Sequence, residues 1–126
     1  MPGYDANLFN PPAPLAFVKI HNPDQSRSFS DVPMLLNSGA DTSCLPLHAV
    51  ENLNLQPDRT IHYEVEGYDG KHGVLSIVVA QLEFSGMICN GRFLILDRPW
   101  GIIGRNILKH FKVVLDGPEQ SWSAEV

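Results

Sequence analysis

Cysteine is scarce in this 126-residue chain: Cys44 and Cys89 are the only two, and they form neither a CxxC pair nor a metal-type spacing. They read as small buried thiols and leave a disulfide between them open. Basic residues are also few, 9 Lys and Arg against 14 Asp and Glu, and the net charge of −5 is spread along the chain. Without a basic stripe, nucleic acid is not an expected partner. No apolar run approaches the roughly 18 residues that a membrane span requires. The first residues lack the basic and apolar regions of a signal peptide. A cytoplasmic domain with no membrane partner is therefore the expectation. The five histidines, His21, His48, His62, His72 and His110, share no spacing that would build a metal site, and no cofactor is expected.

There is no internal repeat and no internal domain boundary. With 44% hydrophobic and 18% charged residues, the chain has the composition of one globular domain with a real core. Ten glycines and ten prolines in so short a chain predict many turns, hence strands with few helices. Residues 1–14, carrying Pro2, Pro11, Pro12 and Pro14, read as an extended N-terminal arm, and residues 15–126 as the domain proper. Strands are predicted over Leu15 to Ile20 and Val32 to Leu36, separated by a turn-rich loop over 21–31. Pro46 suits the first position of a short helix reaching Leu53. Asp69-Gly70 is a favoured hairpin turn between a strand from Ile61 and a long return strand to Phe84. Ser85-Gly86 turns again into Met87–Cys89 and Phe93–Leu96. Trp100 to Gly104 leads into a short helix from Arg105 to Phe111, followed by a final strand over Lys112 to Leu115. Asp116-Gly117-Pro118 is a plain β-turn. The fold class is all-β, with one or two short helices.

The chemistry concentrates at residues 34–46. The apolar run Met34-Leu35-Leu36 delivers a polar residue, Asn37, into the tight turn Ser38-Gly39-Ala40, followed by Asp41-Thr42. Downstream come the Asp69-Gly70 hairpin and then Gly101-Ile102-Ile103-Gly104-Arg105-Asn106. In this order the three features resemble a retropepsin, the retroviral type of aspartic protease, or one of its bacterial and cellular relatives. That family carries Asp-Thr/Ser-Gly-Ala, often followed by Asp, then a hairpin flap, then two bulky apolar residues before Gly-Arg-Asp/Asn. The resemblance spans residues 15–116.

It implies a small closed β-barrel of the acid-protease type with a flap hairpin, working as a homodimer on peptide or protein substrates. Each chain would supply one turn to a shared catalytic site, because two neighbouring carboxylates hold one proton between them and divide the roles of base and acid. The resemblance puts position 37 at the catalytic aspartate, with Ser38 bonding across the dimer axis. Gly39 would allow close backbone approach, with its carbonyl accepting from substrate. Ala40 and Asp41 would face substrate, and Asp41 would form an ion pair with Arg105 of the same subunit. Ile102, Ile103 and Gly104 would pack beneath the turn. Gly67 to Lys71 would be the flap, with Tyr68, Asp69 and Gly70 at the substrate. Tyr68 reads equally as a hairpin packing residue, and Asp69 most simply as the turn residue before glycine. Trp100 reads as core or cleft wall.

Position 37 departs from the family pattern. An asparagine amide nearly matches a carboxylate in shape but takes no proton from water. The expectation is a folded chain that binds peptide without hydrolysing it. A deliberate Asp-to-Asn change accounts for the intact Ser38, Gly39, Asp41 and Arg105. A naturally non-catalytic peptide-binding or dimerisation module is the alternative.

Overall fold

A computed structural model describes the backbone of residues 2–66 and 72–126, and the side chains of these residues apart from 59–66 and 72–75. Among the described residues, ten strands and two short helices follow in order. They are β1 (Tyr4–Asp5), β2 (Ala13–His21), β3 (Ser28–Leu36), β4 (Cys44–Pro46), α1 (Leu47–Asn52), β5 (Asp58–Glu66), β6 (His72–Phe84), β7 (Met87–Leu96), β8 (Gly101–Ile103), α2 (Arg105–Leu108), β9 (Lys112–Asp116) and β10 (Ser121–Glu125). No helix among the described residues is long and apolar enough to cross a membrane.

Eight strands join in the order β1-β2-β3-β8-β4-β7-β6-β5, and a further pairing of β2 with β6 closes six of them into a barrel. The closing rungs are Lys19↔Glu83, Ile20↔Leu82 and His21↔Gln81. From Ala16 onward the residues of β2 alternate between core and solvent. Ala16, Val18 and Ile20 are buried while Phe17 and Lys19 face out, the period-two pattern that gives a strand one core face. Val32, Met34 and Leu36 repeat this on β3. Their side chains meet Leu45, Val78, Ala80, Leu82, Phe93 and Ile103 in one cluster. Fully burying a side chain such as Ile20, Met34 or Leu82 contributes about 1.5–3 kcal/mol.

Most pairings are antiparallel, but β8 lies between β3 and β4 with opposite relations to each. It runs parallel to β3 through Met34↔Gly101, Leu35↔Ile102 and Leu36↔Ile103. It runs antiparallel to β4 through Cys44↔Ile102. The loop over residues 37–43 therefore leaves β3, passes the end of β8 and returns as β4. A three-residue strand fits this slot because Gly101 is buried against its neighbours. A Cβ there would lie 2.4 Å from the Cys44 carbonyl oxygen and 2.4 Å from Met34 Sδ.

Several boundaries differ from the sequence reading. β3 begins at Ser28, inside the predicted loop, and Met87 to Leu96 forms one continuous strand because both halves pair with β6. Residues 101–103, expected to lead directly into a helix, form β8. The predicted N-terminal arm is built into the fold. Tyr4 and Asp5 pair with Pro14 and Ala13 of β2, while Leu8 N–H donates to Asp5 Oδ2 at 2.6 Å in the turn between them. Prolines suit such an edge because the absent N–H removes no ladder bond facing solvent.

The C-terminal segment also folds onto the same chain. β10 pairs antiparallel with β9, and its other edge meets the N-terminus: Tyr4 N–H donates to the Gln120 carbonyl and Trp122 N–H to the Pro2 carbonyl, each at 3.0 Å. Trp122 is buried, stacks on Phe84 with ring centroids 5.9 Å apart, and donates its indole N–H to the Leu15 carbonyl at 3.1 Å. One indole thus pins the last strand to the barrel by both packing and a satisfied donor.

Candidate functional site

The loop over residues 37–43 is held at every point where it could drift. Asn37 continues the line of β3, and its N–H donates to the Ile103 carbonyl at 3.0 Å. Ala40 N–H returns to the Asn37 carbonyl at 3.2 Å, closing a turn. Inside it, Gly39 N–H donates to Asn37 Oδ1 at 2.9 Å. This local side-chain-to-backbone bond is one that Asn and Asp make readily. It also identifies the oxygen of the amide, which must be the atom facing a donor. Asn37 is half-buried, while Ser38 and Gly39 are exposed.

Arg105 clamps the turn from the far side. As the first residue of α2, it donates its backbone N–H to the Ala40 carbonyl at 2.8 Å, and its Nη1 donates to the Ser38 carbonyl at 2.7 Å. The expected ion pair with Asp41 is not formed; the guanidinium arcs over the turn to Ser38, and Asp41 stays exposed. The physical reason is that the backbone contact at Ala40 already fixes the start of α2 under the turn, where the Ser38 carbonyl is within reach. An ion pair between two solvated side chains offers little in competition, about 0–1 kcal/mol.

Beneath the turn lies a small polar network that the sequence reading did not identify. Ser43 is fully buried. Its hydroxyl oxygen accepts from Gly104 N–H at 2.9 Å and its hydroxyl donates to Asn106 Oδ1 at 2.8 Å. The network ties the loop before β4 to the turn between β8 and α2. Nothing in the local string Thr42-Ser43-Cys44 marks the serine as a keystone, because its two partners lie more than sixty residues away. Ser43→Ala is expected to lower stability by about 1–3 kcal/mol, since it strands a buried N–H. Chemical denaturation with an unchanged m-value would show it, and a midpoint equal to that of the parent would count against the network.

Cys44 sits one residue on, buried in a second apolar cluster with Ile77 and Leu94. Burial, reinforced by the negative charge of Asp41, pushes its thiol up to about 11. Burial also raises the Cys89 thiol. Both cysteines are free, so the disulfide left open by the sequence is not formed. The folded chain keeps its Cys44 proton at pH values where the unfolded chain has lost it. Stability is therefore unaffected below the unfolded thiol value and falls as pH rises from there toward about 11. Alkylation near neutral pH should accordingly reach Cys44 only after unfolding. Rapid labelling of native protein at that position would contradict this.

The structure thus brings Asn37, Ser38, Gly39, Ala40 and Arg105 into one compact unit, with Asp41 exposed at its edge. Tyr68, Asp69 and Gly70 lie outside the described residues; the last described rung between β5 and β6 is Glu66↔His72. Chemically, Asn37 offers an amide oxygen already engaged and an amide nitrogen with no partner among the described residues. It supplies neither a base nor an acid.

No protein-family profile matches the chain, and no curated protein matches it. Among solved structures the fold is well represented. One match is the EIAV protease complexed with the inhibitor HBY-793, at 26% sequence identity and a TM-score of 0.57, covering 78% of this chain and 86% of that one. The six-strand closed barrel with two short helices is a retropepsin-like all-β fold.

Proposed function

We propose that this chain is an aspartic endopeptidase of the retropepsin type whose catalytic position carries an amide, so that it binds peptide without cutting it. The observation that supports this most directly is the Asn37 turn. It leaves β3 beside the end of β8, holds its side chain by Gly39 N–H at 2.9 Å, and is clamped by Arg105. One chain offers one such turn, and the reaction requires two side chains facing one water. A homodimer with isologous contact supplies the second. In that assembly the two carboxylates of an active form would share a proton, one activating water and the other protonating the scissile carbonyl oxygen. Two amides can do neither, and both members of the pair are lost together.

The intact surroundings favour a change confined to position 37 over a site that never worked. Ser38, Gly39 and Arg105 all take part in the turn and its clamp. Peptide would lie as an added strand beneath the hairpin of β5 and β6. The test uses the chain as it stands. Titration with HBY-793 is expected to saturate at one inhibitor per two chains, with a dimer seen by analytical ultracentrifugation. A strict monomer at every concentration, with no heat of binding, would overturn the reading.

A further inference from the structure

Asn37 is followed by the exposed Ser38 in a tight turn whose Gly39 N–H holds the Asn37 side-chain oxygen. We propose that Asn37 is a site of spontaneous deamidation, by which the folded protein slowly makes a carboxylate at its own central position. The route is intramolecular. The Ser38 backbone nitrogen loses its proton to solvent base and bonds to Asn37 Cγ, the bond from Cγ to Nδ2 breaks, and ammonia departs. Water then opens the cyclic imide at either carbonyl, leaving aspartate or isoaspartate. The balance is one amide and one water giving one carboxylate and one ammonium, with no oxidant or reductant.

Three features of the turn favour each step. Among the described residues the Ser38 N–H donates to nothing, so no hydrogen bond must break before the nitrogen attacks. Gly39 N–H already holds Asn37 Oδ1 at 2.9 Å, where negative charge develops as the nitrogen adds, and a preplaced donor at a developing oxyanion lowers the barrier. The departing Nδ2 has no partner among the described residues, and its neighbour Ser38 is exposed to the water that must enter.

The other asparagines lack this combination. Asn10 and Asn22 precede prolines, which have no N–H to lose, and Asn7, Asn52, Asn54 and Asn106 precede Leu or Ile, whose bulk hinders attack. Asn90 precedes Gly91, the more reactive pair in a free peptide because glycine offers neither bulk nor restraint. It lies in mid-strand, paired with Gln81 across β6 and β7, and its side-chain oxygen accepts from Gln81 Nε2 at 2.8 Å. The extended ladder holds Gly91 N away from the bent geometry that ring closure requires.

The mass readout at Asn37 does not require the protease reading; only its consequence, a return of hydrolytic activity in dimers carrying aspartate in both copies, rests on that reading. The experiment incubates the purified protein at mildly alkaline pH in heavy-oxygen water, with the urea-unfolded chain in parallel, and maps timed digests by mass spectrometry. In the folded protein, the peptide containing Asn37 is expected to take up heavy oxygen several-fold faster than the one containing Asn90. In the unfolded chain the order is expected to reverse. Asn90 converting faster than Asn37 in the folded protein would overturn the proposal, as would a position 37 that stays an amide while the unfolded chain converts. Assaying the aspartate fraction for peptide cleavage then tests the protease reading separately, because the mass readout does not depend on it.

Discussion

If the proposed reading holds, Asn37→Asp is expected to give the chain endopeptidase activity that the parent lacks. The substitution suits the observed turn. A carboxylate oxygen can accept the Gly39 N–H that Asn37 Oδ1 accepts at 2.9 Å, and the second oxygen replaces an amide nitrogen with no partner among the described residues. Fold and assembly should therefore be preserved, with a melting temperature close to that of the parent. Each positioned proton-transfer group contributes about 10²–10⁴-fold to such a reaction, and the proposed homodimer would gain two of them at once. The pH profile should be bell-shaped, because the working form holds one proton between two carboxylates and is lost when that proton leaves or a second one arrives. Incubation with a quenched fluorescent peptide library across acidic pH reads this out. A folded, dimeric variant that turns over nothing from about pH 3 to pH 7 would refute the protease reading and favour a module that binds without cleaving.

Gly104→Ala is expected to cost about 3 kcal/mol or more, at the upper end of what a forced methyl costs in a packed interior. Gly104 has an ordinary extended backbone, with φ −95° and ψ −176°, so the argument concerns space alone. An added Cβ would lie 2.4 Å from the Thr42 carbonyl oxygen, 2.7 Å from the Thr42 carbonyl carbon and 3.0 Å from the Ala40 carbonyl oxygen. All three are backbone atoms of the loop that carries Asn37, so no side chain can rotate away. Relief would have to come from separating that loop from the end of β8. Such a movement would also stretch the bonds to Ser43 and Ala40 that Gly104 and Arg105 make. For a chain of this size the melting temperature should fall by roughly 10 °C. In the Asn37→Asp background activity should fall further than stability alone explains. A Gly104→Ala protein that melts with the parent would mean the two loops are less tightly apposed than described.

The parts of the fold legible in the sequence are those decided by local pattern. The apolar run over residues 15–20, the proline before α1 and the long apolar return of β6 each reflect forces acting within a few residues. β8 was hidden because Gly101, Ile102 and Ile103 carry no period of their own. They form a strand only because β3 and β4, brought together by a loop, offer edges on both sides. β10 was hidden for a similar reason. Ser121 to Glu125 contains one large apolar residue, Trp122, and its partners Phe84 and Leu15 are distant in sequence. At the site, the tight turn over residues 37–40 was legible from its residue types, while Arg105 was pointed to only by the family resemblance. The choice of Ser38 over Asp41 as the target of Arg105 was not, since it depends on the direction in which α2 starts.

The pairing of residues 2–4 with residues 120–122 has a consequence for the order in which these contacts form. Residues 2–4 are hydrogen-bonded to residues 120–122, and Trp122 reaches back to Leu15 across 107 positions. Contacts between such distant residues form late, because closing so long a loop costs entropy before any contact compensates for it. As synthesis proceeds, the hydrophobic residues Leu15 and Phe84 have to wait for an indole that emerges more than a hundred residues after the first of them. The nascent chain can assemble much of its barrel while this seam stays open. β10 is then a late fastener, and removing it should leave a barrel that forms but does not stay shut.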